Sequence, residues 1–482
     1  MITSLLFRLF RPWSRTIPSS TIRCEIRSMT SSPAGGDAGS IVCVVMTNTP
    51  NDASGTVPGI DPSAVSNPAP VAAPVPAPDG RPSTATAVVW DEALLGYKFS
   101  TAHPMAPVRL DLTHRLSQAL GVLDRPGVGL IKPEVASDEV LASVHDPEYV
   151  RAVRAVSTGE VAEDLERGLG TDDNPVFPHI HEASARILGG SVAAAEAIWT
   201  GEFLHAVNFA GGLHHAGRGK ASGFCIYNDC AAAIQRLLDR GAQRVAYVDL
   251  DAHHGDGVES IFWNDPRVLT ISIHETGISL FPGSGFANDS GGPEALGTAV
   301  NVALPPGTGD AGYLRAAHAV VPQLLRAFDP QVLVTQHGCD GHGEDPLTNL
   351  RMSVEGQRQL ALDASDWARD FAGDRWLATG GGGYSPFSVV PRTWTHLVAA
   401  ATGQPLRTST VIPQAWRDYA ARAAGLGPGE EMAGIPDTMS DGVDVWWRSW
   451  EVGYDPSDPV DQTIMATRKE IFPYHGLDPW FD

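Results

Sequence analysis

Three stretches of this chain gather side chains that could do chemistry together. The first reads Gly211-Gly212-Leu213-His214-His215-Ala216-Gly217, where glycines let the backbone approach a ligand and two imidazoles stand side by side. The second, Tyr247 to Gly257, holds Asp249, Asp251 and His253 at alternate positions, so on an extended strand the three project from one face. Such a row is costly in an apolar sheet unless something positive compensates it, which a metal ion does. The third runs from Val332 to Asp340 and ends an apolar stretch in a carboxylate, offering Asp340 as a third ligand. Carboxylate oxygen and imidazole nitrogen suit zinc, and a catalytic zinc site keeps three protein ligands and one open position. Beyond these, Gly380 to Gly383 form a loop with almost no side chains that presents one phenol, Tyr384.

These residue types permit metal-dependent amide hydrolysis. A divalent ion on Asp251, His253 and Asp340 would polarise a carbonyl and activate water. His214 or His215 has the intrinsic pKa to take the proton and hand one to the leaving amine, with Asp249 and Asp256 as candidates to hold the imidazoles through their second nitrogens. Tyr384 would donate to the developing oxyanion. Phe224 and Phe281, beside the same loops, could sandwich a slim alkyl chain.

The elements that must position these groups repeat a rhythm of short apolar run, Gly/His/Asp-rich loop and helix-period stretch. The runs Ala206 to Phe209, Val245 to Leu250, Val268 to Ile273, Val332 to Thr335 and Trp376 to Thr379 predict buried strands. Helical patterns cover His181 to Thr200, Cys230 to Arg240 with Asn228 or Asp229 as cap, Gly312 to Phe328, Val354 to Phe371 and Phe387 to Ala401. Alternation of this kind predicts a three-layer α/β domain around a central parallel sheet, residues 86–405, with reactive groups at the carboxyl ends of the strands. Nine of the sixteen histidines fall between His205 and His342, and most directly follow a predicted strand.

Either side of this domain the chain changes character. Residues 1–28 carry Arg8, Arg11, Arg15, Arg23 and Arg27 against the single acid Glu25, the composition of an organellar leader or of an upstream region read through from a wrong start. Eight prolines between Pro58 and Pro82 describe a linker, so residues 1–85 are expected to form a disordered leader and linker. Residues 406–482, with Trp416, Trp446, Trp447, Trp450 and Trp480 but little periodicity, read as an extension packed on the domain. The 482 residues include 34 basic and 56 acidic side chains, a net charge of −22 that disfavours nucleic acid and favours cationic partners. No apolar stretch is long enough to span a membrane. Five cysteines without regular spacing make no disulfide framework, so a reducing cytoplasm is the expected location.

The motifs GGLHHAGRGKASGFCIYND, YVDLDAHHGDG, QHGCDGHGEDPL and GGGGY, in this order, resemble the histone deacetylase superfamily from about Trp90 to Thr402, and within it the bacterial acetoin-utilisation deacetylases. Tyr97 with His103 to Arg109 is similar to that family's opening motif. The resemblance implies an arginase/deacetylase fold, zinc (with ferrous iron as the alternative) on Asp251, His253 and Asp340, and His215 as main general base and acid with His214 assisting. It further implies that Phe224 and Phe281 wall an acyl-lysine tunnel, that Leu347 lies at its rim, and that Gly223 supplies a backbone acceptor. Asp173 matches a rim aspartate, with Asp172 beside it and Asn174 where the family's usual residue is cysteine. A structural potassium ion is implied at Asp249, Asp251, His253, Ser272 and Ile273. The implied substrates are acetylated lysine proteins, an acyl-CoA synthetase among the candidates. An acetylpolyamine amidohydrolase is the alternative, disfavoured by the apolar Leu347 at the rim. Binuclear manganese chemistry requires D-x-H-x-D, whereas Asp256 lies three residues after His253, and a pure binding module is at odds with a full catalytic set.

Overall fold

The computed structural model describes residues 85–100, 102–426 and 434–482. The expected leader and proline-rich linker, residues 1–84, lie outside them. Eight strands form one sheet: β1 (Thr86–Val89), β2 (Val128–Ile131), β3 (His205–Asn208), β4 (Val245–Asp249), β5 (Val268–Glu275), β6 (Ala299–Leu304), β7 (Val332–Gln336) and β8 (Trp376–Thr379). Their spatial order is β2-β1-β3-β8-β7-β4-β5-β6, and every neighbouring pair is parallel. Parallel neighbours need long crossovers, and all but the one from β5 to β6 carry helices here. They are α1 (Val108–Ala119), α2 (Asp138–Ala142), α3 (Pro147–Thr158), α4 (Ile180–Thr200), α5 (Asp229–Asp239), α6 (Asp256–Phe262), α7 (Asp310–Phe328), α8 (Val354–Phe371) and α9 (Val390–Ala401), followed by α10 (Gln414–Ala423) and α11 (Pro459–Ile471). The result is a three-layer α/β arrangement with a central parallel sheet.

The inner strands β3, β4, β7 and β8 are buried along their whole length, which is why their sequences are apolar without alternation. Strand β5 continues two residues past its apolar run, through His274 and Glu275. These polar side chains stay in the sheet because tertiary contacts satisfy them: the His274 ring nitrogens lie 2.8 Å from Ser272 Oγ and 2.9 Å from the Gly285 carbonyl, and Glu275 accepts from Asn349. Strand β1, the edge strands β2 and β6, and helices α1, α2, α3, α6, α10 and α11 are additions to the elements named from the sequence. Helix α5 is capped by Asn228, whose side chain accepts the Ala231 N–H. Helix α9 starts at Val390 rather than Phe387, with Pro391 in its first turn, where a fixed φ and a missing N–H cost nothing.

The described residues after 405 lie against this domain. From α10, Trp416 is buried with Leu112 and Leu116 of α1, and its indole N–H donates to the Leu112 carbonyl at 3.0 Å. From α11, Thr467 and Thr463 donate to the carbonyls of Asn301 and Ala303 at 2.6 and 3.3 Å, so the helix covers the open edge of β6. Arg315 of α7 forms a buried ion pair with Asp461. Among the described residues no helix is long and apolar enough to cross a membrane.

Candidate active site

Strands β3, β8, β7 and β4 are consecutive in the sheet, so the loops leaving their carboxyl ends meet above it. These loops carry the two histidines, the glycines and Tyr384, Asp340, and the Asp251/His253 pair respectively. Asp251, His253 and Asp340 are buried, and one donor atom from each lies within 4.8 Å of the others. His253 Nδ1 stands 3.0 Å from Asp251 Oδ1 and 2.9 Å from Asp340 Oδ2. The outward oxygens are already occupied: Asp251 Oδ2 accepts from Gln336 Nε2 (2.7 Å) and the Gly382 N–H (2.8 Å), and Asp340 Oδ1 accepts the Ala252 N–H (2.9 Å). One nitrogen and two oxygens therefore converge. Burial and the adjacent Asp251 charge raise Asp340 above the ordinary carboxylate range. This donor set of two carboxylate oxygens and one imidazole nitrogen fits a divalent ion of the zinc class.

Glycine is required around these carboxylates for space. A Cβ on Gly338 would stand 2.0 Å from Asp251 Oδ2, and one on Gly382 would stand 2.0 Å from Asp340 Oδ2. The run Gly380 to Gly383 is thus a close-packed wall of the site.

The imidazole pair sits beside this centre. His214 Nδ1 lies 2.7 Å from Asp249 Oδ2, His215 Nδ1 lies 2.6 Å from Asp256 Oδ1, and the two Nε2 atoms are 3.1 Å apart, a separation that accommodates one proton between them. Asp249 also accepts from the Tyr247 hydroxyl at 2.6 Å. Burial, with the neighbouring His214, lowers His215 to about 4 against the pull of Asp256, leaving it a neutral base. Burial opposes protonation of His214 too, but Asp249 and Asp251 outweigh it and hold that ring up at about 9. A bound cation would offset part of the field of Asp251.

The loop carrying the pair is held by residues for which the sequence suggested only helix capping. Asp229 accepts the N–H groups of Gly212 and Leu213, and Asn228 Nδ2 donates to the carbonyls of His214 and Ala216. His145 bridges the same region, Nδ1 donating to the Gly217 carbonyl at 2.9 Å and Nε2 accepting the Asn228 N–H at 3.0 Å. Burial lowers this ring to about 4. The unfolded chain takes up the proton near the ordinary value and the folded one only near 4, so stability is full above about pH 6.5 and falls as pH drops through this window. His145→Gln is expected to shrink the drop in unfolding free energy between pH 7 and 4.5 by about 2 to 3 kcal/mol, read from denaturant titrations at both values. An unchanged pH dependence would refute this account.

Phe281 stands beside the donor His253, and Phe224 beside Tyr384. Phe224 packs edge-on against Tyr384 with centroids 5.7 Å apart, and Phe281 against His215 at 5.1 Å and His253 at 6.4 Å. Gly223 adjoins both His215 and Phe281, and a Cβ there would meet His215 Cδ2 at 2.4 Å. Leu347 and Phe281 are partly exposed, at 38% and 43%. Asp173 has an exposed side chain, and its carbonyl accepts from His103 Nε2 at 3.2 Å, the His103 ring resting on Phe224 at 4.5 Å. Burial, Asp340 and Asp251 keep the Tyr384 phenol protonated. Asp249 and Ser272 face each other across β4 and β5, Ser272 Oγ accepts the Gly255 N–H, and the Ile273 carbonyl accepts the Tyr313 hydroxyl at 2.7 Å.

Two further residues belong to the site without an assigned role in the sequence. Gln336 orients Asp251, as above. Arg109, buried, donates from Nη1 to the carbonyls of Gly381 (2.9 Å) and Gly383 (3.2 Å) and lies over Trp394. A motif arginine marks neither its burial nor its partners, which are backbone carbonyls far away in sequence.

Residues 103–401 match the family model described as the histone deacetylase domain. The chain belongs to the histone deacetylase family. Among its relatives, the acetoin utilization protein AcuC of Bacillus subtilis (strain 168) is 40% identical over 379 residues, covering 78% of this chain and 95% of AcuC. The AcuC of Staphylococcus aureus (strain MSSA476) is 38% identical over 336 residues, 69% of this chain and 86% of that protein. Two solved structures of histone deacetylase homologues superpose with a TM-score of 0.68. One, in complex with SAHA, is 26% identical and covered in full by 80% of this chain; the other, from Aquifex aeolicus, is 27% identical, with 79% of this chain and 99% of that one covered. The eight-stranded parallel sheet with its flanking helices is accordingly the arginase/deacetylase fold of this histone deacetylase family member.

Proposed function

We propose that this family member is a zinc-dependent protein lysine deacetylase, hydrolysing Nε-acetyl-lysine to lysine and acetate. The observation that carries the reading is the convergence of Asp251, His253 and Asp340 within 4.8 Å, beside a carboxylate-held imidazole pair and a protonated phenol. The rings of Phe224 and Phe281 suit the apolar stem of an acyl-lysine, and the net charge of −22 suits substrates with cationic surroundings. Zinc on the three ligands supplies Lewis acidity toward the amide carbonyl and the attacking water.

The chain's own residues do the rest. His215, neutral and oriented through Nδ1 by Asp256, takes the proton of the attacking water at Nε2 and returns it to the departing lysine amine. His214, fixed by Asp249, sets the field beside it and aligns its ring. Tyr384 donates its hydroxyl to the oxygen on which negative charge develops, and the Gly223 carbonyl accepts the substrate amide N–H. Asp173 holds the substrate backbone at the rim. Asp249, Asp251, His253, Ser272 and Ile273 are the residues that would hold a potassium ion. The expected substrates are acetylated proteins, an acyl-CoA synthetase among them.

The test is acetate release by zinc-loaded protein from an acetyl-lysine peptide and, in parallel, from an acetylated polyamine, with Asp251→Asn as blank. Peptide turnover that vanishes in the blank is the expected result. Preference for the polyamine would transfer the function to small-molecule hydrolysis, and no turnover of either would refute the reading.

A further inference from the structure

Loop 340–347 carries the ligand Asp340 at one end and the rim residue Leu347 at the other, with His342 buried between them. Both ring nitrogens of His342 are engaged. Nδ1 accepts the Glu344 N–H at 3.0 Å, so Nε2 carries the proton and donates it to Asp441 Oδ2 at 2.8 Å. Asp441 does not come from the sheet or its crossovers but from the segment that precedes Trp446, nearly a hundred positions along the chain.

That segment is docked firmly. Glu355 at the start of α8 accepts the N–H groups of Asp441 and Gly442, both at 3.0 Å. Arg392 of α9 donates to the Ser440 carbonyl at 2.7 Å, and His396 to the Met439 carbonyl at 2.9 Å, while the Met439 side chain is fully buried. The Asp441 carboxylate is pinned in turn by Arg392 Nη2 (2.8 Å) and the Val354 N–H (2.8 Å). Burial would raise it, but His342, Val354 and Arg392 hold it well below the usual carboxylate range, so it meets His342 as an anion.

On its other side His342 leads to the reacting groups. Its carbonyl accepts the Asp345 N–H at 2.9 Å; Asp345 Oδ2 accepts the Tyr384 N–H at 2.8 Å and Oδ1 the Leu347 N–H at 3.0 Å. Asp340 is two residues before His342, and its carbonyl accepts from Thr348. A single chain of hydrogen bonds thus runs from Asp441 through His342 and Asp345 to the phenol loop, along the loop of a metal ligand.

We propose that Asp441 is a positioning residue supplied to the active site by the C-terminal extension: through His342 it fixes the loop that presents Asp340 and anchors Tyr384. The turnover part rests on the deacetylase reading; the metal part does not. In the full chain, Asp441→Asn keeps the shape but removes the charge that holds His342. It is expected to weaken zinc about tenfold, at the low end for groups outside the ligand sphere, and to lower kcat on an acetyl-lysine peptide about tenfold with KM within about twofold. The double variant with His342→Gln is expected to lose no more than His342→Gln alone. Glu355→Gln, which loosens the same segment without touching His342, separates docking from positioning: a lower thermal midpoint with a smaller kcat loss is expected. Wild-type zinc affinity and kcat in Asp441→Asn, additive losses with His342→Gln, or equal kcat losses in Asp441→Asn and Glu355→Gln would each overturn the proposal. If the wild type binds zinc but does not turn over the peptide, the deacetylase reading falls, and zinc affinity alone decides the role of Asp441.

Discussion

His215→Ala is expected to lower kcat for an acetyl-lysine peptide by about 10² to 10⁴, the range for loss of a positioned general base and acid, while zinc content stays at the wild-type level. The role proposed for His215 carries the first half of this result, and its place outside the three convergent donors carries the second. Both rings are tied to carboxylates, His214 to Asp249 and His215 to Asp256, and His215 adjoins Gly223 and Phe281, where the acyl chain would lie. Neither ring is among the three convergent donors. His214→Ala is therefore expected to cost less than His215→Ala. Steady-state kinetics on both variants, with metal analysis of each, checks the order. A larger loss at His214 would reverse the roles assigned to the pair, and loss of zinc in His215→Ala would show that the ring serves the metal rather than the proton.

A single methyl group at Gly382 is expected to have an effect of similar size by another route. It would stand 2.0 Å from Asp340 Oδ2 and 2.9 Å from Asp251 Oδ2. Asp340 Oδ2 is one of the converging oxygens. Gly382 does not lie in the left-handed region, so alanine suits its backbone and the change reports on space alone. Either the carboxylate or the loop must move, and the loop is held by Arg109 and by the Gly382 N–H to Asp251. Gly382→Ala is expected to weaken zinc by about 10- to 100-fold or more, measured by competition with a chromogenic chelator, and to remove turnover at limiting metal. Wild-type affinity in this variant would mean that the loop yields easily and is no wall.

Much of this is legible in the sequence. Uniform apolar runs ending in Asp, His or Gly located β3, β4, β7 and β8, because only a strand buried on both faces is so short and so apolar. Alternation along Val248 to His253 suggests one strand face for Asp249, Asp251 and His253, but β4 ends at Asp249, and Asp251 and His253 reach the site from the loop beyond it. The motif resemblance named the family to which the chain belongs. Local pattern failed where polar residues are satisfied from afar: His274 and Glu275 continue β5, although their types suggest that it ends at Ile273. It failed again in the extension, where α10 and α11 hold their places by packing on α1 and β6 rather than by periodicity of their own.

The sequence by itself determined which residue types stand at the ends of which strands, and so the class of chemistry. What only tertiary structure decided is the fine positioning: which oxygens of Asp251 and Asp340 turn inward, that Arg109 grips the glycine loop, that Asp229 and His145 pin the histidine loop, and that Asp441 reaches His342. Each of these is a hydrogen bond between groups far apart in the chain. Such partners are fixed by how layers and loops pack, and no local spacing records them.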